Sequence, residues 1–339
     1  MKYLGLLSVI ILMQSCNSQV KETIKLEKIN GVSFVAARDS IQEKHVIPVQ
    51  QIHANYASLM PFALLKAIDS STIYYNPKRQ WFGETEKGLK QYAKHLRSKD
   101  IKIMVKPQIW VWNGEFTGTI KMSHEDDWQQ LEKTYSDFIL EFARVSQDLK
   151  AEVFCIGTEL ELFVKHRTEY WIKLIKDIKA IYKGKLTYAA NWDEYKRTPF
   201  WSDLDYIGID AYFPLTEEKT PSVEASIEAW QTHKAVIKNQ SETYNKPILF
   251  TEYGYRSMDY ASKKPWEVSR LEGGVNEEAQ ANLTKALLET FWSEPWFAGG
   301  FVWKWFHDHE TSGGANDNRF TPQNKPAEQV LKTYYEHNK

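Results

Sequence analysis

Cysteine is nearly absent from this chain, with two in 339 residues, Cys16 and Cys155. A disulfide-stapled fold is excluded, so stability must come from a packed core. Cys155 sits inside an apolar run, where a thiol is expected to serve as a small buried hydrophobe rather than a nucleophile. Charge of one sign is lacking too. The formal net charge is −1, which supplies no electrostatic footprint for nucleic acid or another polyanion. No G-x-G-x-x-G or Walker A loop is present to cradle phosphates, and no G-x-S-x-G elbow to present a serine nucleophile. The longest early apolar run, Tyr3 to Met13, is eleven residues, too short to span a bilayer as a helix.

That run follows Lys2 and leads into "MQSC", the arrangement of a signal peptide. A small residue followed by cysteine resembles a bacterial lipobox. The resemblance implies removal of residues 1–15, lipidation of Cys16 and an exported lipoprotein at the periplasmic or outer face. An ordinary secretory signal is the alternative, because Met13 and Gln14 depart from the usual lipobox residues. Residues 16–28 are polar and are expected to tether the membrane anchor to one domain, residues 29–339. If Cys16 carries lipid, Cys155 has no partner for a disulfide.

What the chain does have is aromatic surface: 13 Trp and 18 Tyr, more Trp than a core of this size needs. Flat rings with a polar tip suit sugars, whose C–H faces stack on aromatics, although a Trp-rich core is the plain alternative.

From residue 29 onward apolar segments alternate with helix-period segments. The apolar ones are Ile29–Ala36, Ala54–Pro61, Ile101–Trp110, Ala151–Glu159, Lys185–Trp192, Tyr206–Tyr212, Pro247–Tyr253 and Ala298–Trp305. Amphipathic stretches include Glu84–Ser98, Asp126–Leu149, Thr168–Tyr182, Val223–Gln240 and Asn276–Ser293, and "SHEDDW" reads as a helix start. Eight strands alternating with helices predict an α/β fold of the (β/α)8 TIM-barrel type in a single domain. A doubly wound open sheet is the rival, and it lacks its usual glycine-rich loop here.

In a barrel, the C-terminal ends of the strands open on the face that holds the active site. The endings "PQIWVWNG", "GTELE", "AANWDEY", "IDAYFP", "TEYGYRS" and "VWKWFHDHE" carry carboxylates and aromatics rather than simple turn residues. Glu159 and Glu252 end the fourth and seventh strands, 93 positions apart, and can face one bond across the mouth. Retaining glycoside hydrolysis needs such a pair, one carboxylic acid and one nucleophilic carboxylate about 5–5.5 Å apart. A negative Glu252 would raise the pKa of Glu159, keeping the acid protonated. Tyr212, ending the sixth strand, is placed to donate its hydroxyl to Glu252. Glu161 is read as a supporting or substrate-binding group, further from the rim than Glu159, and Asp210 as another substrate-facing group. Arg256 is a candidate partner for a carboxylate. His307 to Glu310, "HDHE", has no third ligand cluster at a recognisable zinc spacing, so it is read as a sugar-contacting loop and no metal or cofactor is expected.

With these residues in place the chain resembles the clan A glycoside hydrolases, and most closely glycoside hydrolase family 113, over about residues 29–337. The resemblance rests on "INGVSF", "IGTELE", "WSDLDYIGIDAYFP", "KPILFTEYGY", "GGFVWKWF" and "FTPQNKPA". It implies a retaining β-mannanase acting on mannan, glucomannan or manno-oligosaccharides, with Glu159 as acid/base and Glu252 as nucleophile. It further implies that Tyr212 stands beside the nucleophile and that Trp303 floors the glycone subsite. One position departs from the clan: Thr158 stands where most members carry asparagine before the acid/base, which bears on how the sugar 2-hydroxyl is held and fits mannose with its axial 2-OH. Asn191, Trp192 and Asp193 are candidates for compensating contacts, and Trp110 and Trp112 for stacking on flanking sugars. Activity on another β-glycan (glucan or xylan) is the enzymatic alternative, and a non-catalytic glycan-binding lipoprotein the alternative of a different class. The protein is expected to act as a monomer, meeting the membrane only through its lipid.

Overall fold

The computed structural model describes residues 27–76, 78–267 and 274–338. The signal segment and Cys16 lie outside the described residues, as does all of the tether except its last two positions.

Eleven strands form: β1 (Ile29–Phe34), β2 (Tyr56–Leu59), β3 (Phe62–Leu65), β4 (Ile73–Tyr74), β5 (Lys102–Val105), β6 (Gln108–Val111), β7 (Val153–Thr158), β8 (Lys185–Asn191), β9 (Ile207–Asp210), β10 (Ile248–Tyr253) and β11 (Phe297–Trp305). Eight of them, β1, β2, β5, β7, β8, β9, β10 and β11, pair in that order, and β11 returns to β1 to close a barrel. Every pairing in it is parallel. These are the eight strands expected from the sequence. The helices are α1 (Ile47–Gln51), α2 (Glu86–Arg97), α3 (Glu125–Leu149), α4 (Glu161–His166), α5 (Thr168–Ile181), α6 (Val223–Tyr244), α7 (Glu277–Phe291) and α8 (Pro326–His337).

Helix starts follow local chemistry. The side chains of Thr85, Ser222 and Asn276 accept the backbone N–H of Gly88, Ala225 and Ala279. The "SHEDDW" start behaves differently. Its N-cap is His124, which makes no side-chain cap bond, while Glu125, Asp126 and Asp127 in the first turn complement the helix dipole.

Two expected strands are interrupted, for one reason. Proline cannot donate to a ladder, and Pro61 and Pro107 interrupt the second and third barrel strands at matching points. The chains stay paired across the break, through Lys106 N–H to Leu59 O (2.9 Å) and Gln108 N–H to Pro61 O (2.9 Å). Beyond it they continue as β3 and β6, which join β4 in a separate three-stranded sheet beyond that edge of the barrel. The expected strand Ile101–Trp110 is therefore two strands, and the small sheet was not foreseen.

The barrel is filled by Ile29, Tyr56, Met104, Val153, Leu249 and Phe301, with Cys155 among them. Gly31 leaves room for Phe301, since a Cβ there would stand 2.3 Å from its ring. Burial pushes the Cys155 thiol up to about 11, as suits a packing residue. A second apolar layer, including Trp171, Trp201, Trp230 and Trp292, lies between barrel and helices. Much of the tryptophan is thus core. Lys28 is buried, its ammonium donating to Glu294 O (2.7 Å) and Phe297 O at the entry of β11, and Glu27 pairs with Lys102 (2.6 Å).

Candidate active site

Glu252 sits near the end of β10 and is 6% exposed. A register shift against β9 between Phe250 and Glu252 lets consecutive residues serve one cluster. Thr251 donates its hydroxyl to Asp210 Oδ1 (2.7 Å), while the Glu252 carboxylate meets three donors. Tyr212 Oη donates to Oε2 at 2.7 Å, as expected from the sequence. Gln108 Nε2 donates to Oε1 at 3.1 Å, and the Lys106 ammonium closes on the same oxygen.

Lys106 is fully buried, and its other neighbours are the two Asp210 oxygens at 3.5 and 3.4 Å. Burial lowers its pKa, but Asp210 and Glu252 outweigh that and raise it above the ordinary value. Asp210 itself is 1% exposed, and burial followed by the Glu252 charge lifts it to about 7, against Lys106 and Thr251. Asp210 is therefore not open to substrate; it lies beneath the nucleophile candidate as Lys106's second partner.

Glu159 lies just past the end of β7 with φ at +51°, a left-handed conformation that non-glycine residues rarely adopt. The surroundings fix this turn. Glu159 N–H donates to Ala189 O (2.8 Å), and the next N–H, of Leu160, donates to Tyr188 Oη (2.7 Å). Tyr188 in turn donates to Glu194 Oε1 (2.7 Å), whose Oε2 accepts Asn191 N–H (3.0 Å). Burial pushes Glu194 up to about 8. The Glu159 carboxyl has no hydrogen-bond partner among the described residues. Burial first, then the charges of Asp210 and Glu252, hold its pKa well above the usual range, with Lys106 opposing. It is a carboxyl whose surroundings favour the protonated form, across the barrel from one that is cradled.

Thr158 Oγ1 is buried and has no partner among the described residues. Trp303 is half-buried near the end of β11, and the Trp303–Lys304 peptide is cis. Trp110 and Trp112 are 54% and 71% exposed, on and just past β6, the strand whose first residue, Gln108, touches Glu252. Asn191 uses Oδ1 on the N–H of Trp192 (2.9 Å). One face of Trp192 is already covered: Trp266 stacks on it at 5.1 Å and 17°, and Phe213 packs edge-on.

Glu161 stands apart from this constellation. It opens α4 and pairs with Arg197 Nε at 2.5 Å, because the chain has turned into helix where a strand would have kept it beside Glu159. Asp193 also faces Arg197, at 3.9 Å. Arg256 donates to Asn318 O (3.1 Å) and Oδ1 (3.0 Å). In "HDHE", His309 Nε2 meets Glu328 at 2.7 Å and His307 packs edge-on against His45. No group of three or more metal-ligating side chains that could hold an ion occurs among the described residues.

Sequence reasoning missed Lys106, Gln108, Tyr188, Glu194 and Trp266. A lysine and a glutamine flanking proline inside an apolar run, "MVKPQIW", were the available signal for the first two. Glu194, three residues after Asn191, had the spacing of a side chain reaching back to a turn N–H.

Comparison with curated protein sequences finds no match. Among solved structures, a GH113 beta-mannanase from Alicyclobacillus acidocaldarius, in complex with ManMIm, superposes with a TM-score of 0.80 at 24% identity, covering 93% of this chain and 99% of that one. A GH113 beta-1,4-mannanase complex gives 0.79 at 21%, covering 91% and 99%. A beta-glucuronidase from Ruminococcus gnavus gives 0.58 at 14%, covering 87% of this chain and 46% of that one. At these identities the likeness establishes the barrel. The family model described as Glycoside Hydrolase Family 113 matches residues 35–325, nearly the whole described domain, and on that ground the chain belongs to glycoside hydrolase family 113.

Proposed function

We propose that this glycoside hydrolase cleaves β-1,4-mannosidic bonds in mannan, glucomannan or manno-oligosaccharides with retention of configuration. The observation that carries the mechanism is the contrast at one barrel mouth between the Glu252 carboxylate, cradled by three donors, and the Glu159 carboxyl, which meets none among the described residues and whose pKa is raised. In the first step a Glu252 oxygen attacks C1 and the Glu159 proton passes to the leaving glycosidic oxygen. In the second, Glu159 takes a proton from water, which attacks C1 and releases Glu252. Lys106, Gln108 and Tyr212 hold the nucleophile in place throughout. The choice of mannan is supported by the two mannanase structures above and by Thr158 before the acid/base.

Incubation with mannohexaose, with the product anomer read by NMR, tests this; β-anomer appearing first is expected. Glu252→Ala should reduce turnover by about 10⁴-fold or more. Azide should then restore bond cleavage and yield a glycosyl azide of inverted configuration; full residual activity in that variant would remove Glu252 from the mechanism. Binding of mannohexaose without cleavage by wild type would favour a glycan-binding protein instead.

Export and lipidation at Cys16 belong to the same proposal, supported by the Lys2 and Tyr3–Met13 pattern before "MQSC". Detergent-phase partitioning of wild type against Cys16→Ala, in the expressing cell, checks it. The enzyme is proposed to act as a monomer.

A further inference from the structure

Lys304 has no part in the two-glutamate mechanism, yet it sits beside it. It lies between Trp303 and Trp305 near the end of β11, half-buried. Its ammonium is 5.3 Å from the Trp303 ring centroid and 5.2 Å from that of Phe306. No hydrogen bond or ion pair satisfies it among the described residues. Burial lowers its pKa, the Glu252 carboxylate opposes that, and Arg319 adds to the lowering. Every other deeply placed lysine of the domain has oxygen partners: Lys28 on two carbonyls, Lys106 on two carboxylates, Lys325 on Ser257, Asp317 and Arg319 O.

An ammonium set against two aromatic faces retains unfilled donor capacity, since cation–π attraction supplies no acceptor lone pair, and the half-buried Lys304 leaves that capacity open to a ligand. The ring that flanks it is the one implied to floor the glycone subsite, and the field it feels is that of the nucleophile. We propose that Lys304 is a substrate-binding residue of the glycone subsite, donating hydrogen bonds to the hydroxyls of the sugar seated against Trp303. This rests on the glycoside hydrolase reading of the site but not on the identity of the sugar. A single charged donor to sugar oxygens predicts loss of affinity with the chemistry left largely intact.

The test compares wild type, Lys304→Met and Lys304→Arg on manno-, cello- and xylohexaose. KM and kcat are measured separately, and calorimetric Kd values are taken in a Glu159→Gln background that turns over too slowly to consume the ligand. Lys304→Met is expected to raise Kd and KM roughly tenfold or more. The melting temperature should hold or rise, and Lys304→Arg should recover most of the affinity. Unchanged Kd and KM in Lys304→Met would overturn the proposal, as would an equal loss in Lys304→Arg with a lowered melting temperature. Should Lys304→Met fail to fold, Lys304→Gln replaces it in the same comparison. If wild type cleaves cello- or xylohexaose and ignores mannohexaose, the mannan reading falls while Lys304 is scored on the oligosaccharide that is cleaved. If wild type neither binds nor cleaves any of the three, both fall.

Discussion

Glu159 and Glu252 are the same residue type at the ends of two barrel strands, and the fold treats them oppositely. Glu252 receives three donors, one of them a fully buried ammonium. The Glu159 carboxyl receives none among the described residues; only its backbone is gripped, by Ala189 O on one side and through Leu160 by Tyr188 on the other. One carboxylate is held by its oxygens and the other by its turn. Division of labour between chemically identical groups is thus a property of the surroundings, and it can be broken from either end.

The largest effect within this comparison is expected from Glu159→Gln. Loss of the general acid should lower kcat on unactivated oligosaccharides by roughly 10²–10⁴-fold. Because the Glu159 pKa is raised, the acid keeps its proton to higher pH than an ordinary carboxyl, and activity should fall as pH rises through its pKa. The variant should lose this alkaline limb in a pH–rate profile; retention of the limb would assign it to another group. Next comes Lys106→Met. Removing the cation leaves Asp210 and Glu252 facing each other unbalanced, so kcat/KM should fall by about 10²–10³-fold. The acidic limb should move to higher pH, because the charge that disfavoured protonation of Asp210 is gone. An unshifted acidic limb would mean that Lys106 serves packing alone. The smallest effect is expected from Tyr188→Phe, which keeps the ring and removes the hydroxyl between Leu160 N–H and Glu194. Stability should drop by about 1–3 kcal/mol in chemical denaturation, and kcat by roughly tenfold as the Glu159 turn loosens. If stability drops and kcat does not, the Glu194–Tyr188 contact holds the fold without positioning the acid.

The two halves of this comparison were unequally legible in the sequence. The strand pattern located both glutamates, because alternating apolar and amphipathic segments report barrel topology directly. Tyr212 followed from its place at the end of the neighbouring strand. Lys106 did not, since a lysine before proline reads as the solvated end of a strand. Its burial depends on carboxylates 104 and 146 positions away that no local pattern announces. Glu161 was legible only conditionally: it shares the side of Glu159 if the strand continues and not if a helix has begun, and the left-handed Glu159 followed by α4 decides for the second. The three-stranded sheet was hidden by Pro61 and Pro107, which punctuate a strand without ending the pairing of its two chains.

Lys28 gives the molecule a direction. Its ammonium, seated on the carbonyls of Glu294 and Phe297, ties the incoming chain to the end of the barrel where the strands begin, opposite the catalytic mouth. The ten residues from 17 to 26 can span at most about 35 Å when fully extended. A protein lipidated at Cys16, as proposed, would therefore have its anchor attached at the end of the barrel opposite the catalytic mouth.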